Sequence, residues 1–172
     1  EKVWGIAEEL GLPCLVVLNL LDRERASLDR SLESLHSSLG RAVVPIQIPI
    51  GVEKDFNGLV DLVGMKSISF SSDKNGTATN GDVPEALNEQ ATKAQEALIE
   101  MVAEADDSLM EKFFEEGSLG QQDLETGLKQ ATIAREIIPL VCTSAHENIG
   151  IQALLDTITT YVPSAADRPL PA

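Results

Sequence analysis

Asn19 and Asp22 are separated by two leucines and follow directly on an apolar run, Cys14-Leu15-Val16-Val17-Leu18. A carboxylate at the carboxyl end of a strand can accept two hydrogen bonds from the adjacent imino and amino groups of guanine. Adenine offers no such donor pair, so an Asp at this place discriminates between the bases. An Asn amide can bond another edge of the same base. A second apolar run, Ile137 to Cys142, ends in Thr143-Ser144-Ala145. Small residues there let backbone N–H groups approach the guanine carbonyl. An unpaired buried polar group costs about 1–3 kcal/mol, so a pocket of this kind rejects the wrong base sharply. N-x-x-D alone is a weak pattern, because Asn and Asp after a strand commonly serve as turn residues and helix caps. The second strand end raises it above that reading.

Other chemistry is poorly represented. No G-x-x-x-x-G-K-[ST] phosphate loop occurs; Gly58 to Gly64 followed by Met65-Lys66-Ser67 has the wrong spacing and reads as strand. Without that loop there is no phosphate cradle and no magnesium-binding hydroxyl. Cys14 and Cys142 form no C-x-x-C pair, each lies in an apolar run, and both are expected as buried reduced thiols. No catalytic residue and no metal ligand is assigned. His36 falls in a helix and is expected at its surface.

The elements that must carry the two strand ends follow from apolar spacing. Val3, Ile6, Ala7 and Leu10 mark a helix stopped by Gly11-Leu12-Pro13. The run 14–18 is apolar throughout, as in a parallel strand covered on both faces. Leu28, Leu32, Leu35 and Leu39 mark an amphipathic helix closed by Gly40, and Val43 to Ile50 is a second apolar strand interrupted by prolines. This rhythm is that of an α/β domain. It then breaks. Leu59 to Val63 and Lys66 to Phe70 read as a small antiparallel pair, and 71–82 as a polar loop. Helical spacing runs from Glu85 to Glu116, with a break at Asp106-Asp107, and again through Leu124, Leu128 and Ala131. After the strand 137–142, Ile151, Leu154, Leu155, Ile158 and Val162 mark a last helix ended by Pro163.

The expected organisation is therefore an α/β parallel sheet, residues 1–52 and 135–163, interrupted by an α+β inserted subdomain at 53–134, with 164–172 as a proline-rich linker. The chain of 172 residues opens at Glu1 rather than Met, which suggests a segment of a longer protein. Its hydrophobic fraction is 43% with only 3% aromatics, so the core must be aliphatic. A net charge of -15 argues against a general or sequence-specific nucleic-acid binder, since an acidic surface repels phosphate. No run approaches the ~20 apolar residues of a membrane helix.

Colinear motifs across nearly the whole chain resemble the second half of the G domain of elongation factor G, the ribosomal translocation GTPase, with its inserted subdomain. The family's N-K-x-D is similar to Asn19-Leu20-Leu21-Asp22. Its P-V-x-x-Q-x-P-I-G resembles Val44 to Gly51, with the first two residues exchanged. Its F-x-G-x-x-D-x-x-x-M-K matches Phe56 to Lys66, and its P-V-x-x-x-S-A and following helix match Pro139 to Ala145 and Gly150 to Ser164.

The resemblance implies a partial P-loop GTPase G domain that binds GTP or GDP, with magnesium held only when the upstream half is present. Asn19 and Asp22 would read the guanine, Ser144 and Ala145 would meet its carbonyl through backbone, and Leu20 would stand where the family has Lys. That Lys lays its stem over the base and tethers the phosphate loop; Leu20 keeps the apolar cover and loses the tether. The family's Lys-Asn-Lys-Gly stretch is His146 to Gly150, which alters the charge of the base loop. The resemblance also implies a cytoplasmic factor that works on the ribosome, docks its stalk protein through 53–134, and completes its G domain with the remainder of the parent chain. Alone, this segment is expected to be catalytically inactive. Glu96, Glu100 and Glu104 share one helix face, which reads as a solvated surface. The alternatives are an interaction module of a divergent paralogue that no longer binds nucleotide, or a related release-factor GTPase.

Overall fold

The computed structural model describes residues 2–71 and 73–164. A three-stranded parallel sheet, ordered β1-β7-β2, is built from β1 (Val16–Leu18), β2 (Val43–Pro45) and β7 (Ile138–Cys142). Helix α1 (Lys2–Glu9) precedes β1, α2 (Leu28–Leu39) joins β1 to β2, and α6 (Ile151–Tyr161) follows β7. A separate four-stranded antiparallel sheet holds β3 (Gln47–Ile50), β4 (Gly58–Asp61), β5 (Lys66–Phe70) and β6 (Ala78–Asp82) in that order. Helices α3 (Asn88–Glu104), α4 (Asp107–Glu116) and α5 (Gln121–Ala134) complete the intervening stretch. This mixed α/β fold, a parallel sheet interrupted by an antiparallel one, is the class expected from the sequence.

The central strand β7 is buried at all five positions, which is why Ile138 to Cys142 is apolar without alternation. The core is aliphatic as the composition requires, with Phe56 and Tyr161 its buried aromatics among the described residues. Ser27 caps α2 by accepting from Arg30 N, and Gly40 ends it at φ 84. Asp106 caps α4 through Ser108 N and Leu109 N, so the acidic pair 106–107 does break the long helical stretch.

Several expectations are corrected. Val43 to Ile50 is two strands rather than one: the chain bends at Ile46, whose N–H bonds Leu140 O, and β3 enters the antiparallel sheet. Gln47 bridges the two sheets, its buried Oε1 accepting from Cys142 N at 3.3 Å. β1 begins at Val16 and lies at a sheet edge with Val17 exposed, so it is not covered on both faces. Cys14 precedes that strand and is half-buried, unlike Cys142, whose thiol burial pushes up to about 12. The stretch 71–82 contains the exposed edge strand β6, which its polar composition concealed. His36 is half-buried, with Nε2 2.8 Å from Val43 O. The Gly58–Gly64 stretch is strand β4 and the start of its turn into β5, in keeping with the strand reading. Of the expected linker 164–172, residues 165–172 lie outside the described residues.

Candidate functional site

Parallel pairing of β1 with β7 sets Leu18 level with Cys142, so the two strands end side by side. The alignment continues past the strands, through Thr143 N to Leu18 O at 2.9 Å and Leu21 N to Thr143 O at 3.3 Å. Asn19 and Asp22 are thereby brought against Thr143, Ser144 and Ala145, more than a hundred residues away in the chain.

Asn19 Oδ1 accepts three hydrogen bonds, from Leu20 N at 2.8 Å, Ala145 N at 3.0 Å and Thr143 Oγ1 at 3.3 Å. The carboxamide oxygen is thereby held within the protein. Asp22 Oδ1 accepts from Ser144 Oγ at 2.6 Å, and Oδ2 lies 3.2 Å from Arg23 Nε. The Ser144 hydroxyl holds the Asp22 carboxyl below the ordinary carboxylate range, against the opposing pull of partial burial. The site therefore presents an ionised acceptor at neutral pH.

Ser144 has a different part from the one the resemblance implies. Its N–H bonds Ile149 O at 3.0 Å, and Ile149 N returns to Ser144 O at 2.9 Å, closing the turn 144–149. Its buried hydroxyl is what reaches Asp22. Ala145 is exposed, and its N–H is the backbone donor at the surface of the site. Leu20 is 45% exposed at φ 65, a left-handed conformation rare for a bulky residue. Thr143 is a member of the site that spacing alone did not single out. Its only sequence signal is a hydroxyl directly after a buried strand.

Asp22 also lines a cleft of about 350 Å³ whose other walls include Lys54, Phe56, Phe70, Lys74 and Glu147. The antiparallel sheet and its connections thus face the same loops that carry Asn19 and Ser144. Among the described residues no group of three or more His, Cys, Asp or Glu is placed to hold a metal ion.

Residues 1–164 match the family described as the elongation factor Tu GTP-binding domain. Among solved structures, a protein of Thermus thermophilus superposes with a TM-score of 0.84 at 29% identity. That match covers 95% of this chain, which spans 24% of the length of the other.

Proposed function

The chain belongs to the elongation factor Tu GTP-binding domain family of translational GTPases, within which its resemblance to elongation factor G falls, and from this premise we propose that it supplies guanine recognition to such a factor. The carrying observation is the hydrogen-bonded convergence of Asp22, Ser144, Asn19 and Ala145 at two adjacent strand ends. Asp22 accepts from the guanine imino and amino groups, with Ser144 orienting its carboxylate. Asn19 offers its amide nitrogen to the base, and Ala145 exchanges its N–H from Asn19 to the guanine carbonyl. Leu20 covers the face of the base through apolar contact alone.

The phosphates and magnesium fall to residues outside these 172, since no phosphate-binding loop is present among them. The division into 1–52 with 135–163, 53–134, and a linker from 164 remains part of this reading. Exposed Glu96, Glu100 and Glu104 on α3 make the inserted part an acidic surface, suited to docking the ribosomal stalk protein and so to work on the ribosome in the cytoplasm.

The test is binding of a fluorescent GDP analogue to the full-length protein in the presence of excess ATP. Asp22→Ala removes an acceptor of two charge-assisted hydrogen bonds and should weaken binding by roughly a hundredfold or more. Equal affinity in the two proteins would sink the assignment of Asp22. No guanine-specific binding by the wild type would sink the whole reading.

A further inference from the structure

Both loops of the site are held from the far side by residues outside the parallel sheet. On the first loop, Glu53 Oε1 accepts from Arg25 N at 2.7 Å. On the second, Lys74 Nζ bonds Glu147 Oε1 at 2.8 Å, and Asn148 Nδ2 donates to Lys74 O at 3.1 Å. Lys74 lies on the connection between β5 and β6, some seventy residues before its partners.

This contact has been shaped on both sides. Asp73 braces the connection by accepting from Asn75 N at 3.1 Å, from Asn75 Nδ2 at 3.0 Å and from the Ser71 hydroxyl. Asn148 and Lys74, the amide and carbonyl ends of the bond between them, both stand at positive φ, 55 and 60. Gly76, at φ 73, packs its bare Cα against that amide: a Cβ there would lie 2.7 Å from Asn148 Nδ2. A side chain at 76 would displace the very group that ties the two loops together.

The turn 144–149 is thus gripped from two directions. Asn19 and Asp22 hold its start, at Ala145 N and Ser144 Oγ. Lys74 holds its end, at Glu147 and Asn148. We infer that Lys74, Gly76 and Asn148 form a clasp by which the antiparallel sheet positions the base-contacting turn and slows release of the guanine nucleotide. In this reading all three are positioning residues acting through the turn, by their contacts with Glu147 and Asn148. The inference rests on the guanine-recognition reading above. Its physical basis is preorganisation, since a turn already held in its bound shape loses less freedom on binding.

The experiment measures release of fluorescent GDP from the full-length protein, with amide hydrogen exchange over 144–149 followed in parallel. Lys74→Met removes an exposed ion pair and should speed release about two- to fivefold. Gly76→Ala, which also disturbs Asn148, should speed it more. Both should lower protection of the turn, and Lys74→Met should do so without changing the melting temperature appreciably. Exchanging the charges, Lys74→Glu with Glu147→Lys, should recover most of the wild-type release rate. Wild-type binding with unchanged release in Lys74→Met and Gly76→Ala overturns the clasp and leaves guanine recognition standing. Faster release without recovery in the exchanged pair also overturns it. Absence of guanine-specific binding in the wild type instead overturns the site reading, and the clasp with it.

Discussion

The contact between Ser144 and Asp22 decides what the site can do at a given pH. Because the folded carboxyl sits below the ordinary value of 3.8, its ionised form contributes stability above the usual carboxylate range. That contribution is lost as pH falls through the folded value. Ser144→Ala removes the largest cause of the lowering, so the carboxyl returns toward its ordinary range. The acid limb of GDP binding should then move to higher pH, and affinity at neutral pH should fall about tenfold through loss of one charge-assisted hydrogen bond. A pH profile of binding for the two proteins checks this; coincident acid limbs would mean that Ser144 does not govern Asp22. Leu20 is the other residue that departs from expectation by type. It is partly exposed and stands at φ 65, a conformation that a bulky side chain disfavours.

Among the elements, α3, α4 and α5 pack together and contribute Leu98, Val102, Leu109, Leu124 and Leu128 to the apolar core. Gly127 is buried in the middle of α5, where helix propensity alone would favour Ala by about 1 kcal/mol. A Cβ at 127 would overlap Leu109 Cδ1 and lie 2.6 Å from Val102 Cγ1. Val102 is fully buried and stiff at χ1, so it has little room to yield. Overpacking of this sort costs about 1–3 kcal/mol and outweighs the propensity gain. Gly127→Ala should therefore lower the unfolding midpoint in thermal melts monitored by circular dichroism, and a raised midpoint would show that the three helices can move apart freely. The break between α3 and α4 was legible beforehand because Asp106 and Asp107 are cap and first-turn residues by chemistry. The edge strand β6 was not, because Ala78 to Asp82 is exposed at every position and has no apolar face to give it a period.

For the molecule as a whole, the most conspicuous feature is an uncovered apolar surface at the start of the chain. Val3, Ile6 and Leu10, on α1 and the turn that follows, are 81%, 55% and 61% exposed, and Val17 on the edge strand β1 is 41% exposed. An exposed apolar helix face and an edge strand each favour association. The segment on its own should self-associate at high concentration, and replacing Val3, Ile6 and Leu10 by Glu, Lys and Gln should reduce this. Light scattering that shows a clean monomer of the unmodified segment at high concentration would count against it. Among the described residues no helix is long and apolar enough to cross a membrane.

The convergence of the two apolar-run ends into one candidate site was in part legible in the sequence. Asn19, Asp22, Ser144 and Ala145 stand at ends of apolar runs, and the resemblance to elongation factor G is what proposed them for guanine rather than for ordinary turns. Apolar period also located the helices, because an apolar face recurs every three to four residues, buried against the core in α3 and α5 and exposed in α1. Three things belonged to tertiary structure alone. Which atoms of Ser144 and Asn19 face a ligand depends on hydrogen bonds across more than a hundred residues, and no local pattern encodes them. The bend at Ile46, which sends β3 into the other sheet, is set by pairing with Leu140 and with β4. The grip of Lys74 on Glu147 and Asn148 joins exposed polar residues of two distant loops, and such residues carry no periodic signal because water satisfies them equally well when they are apart.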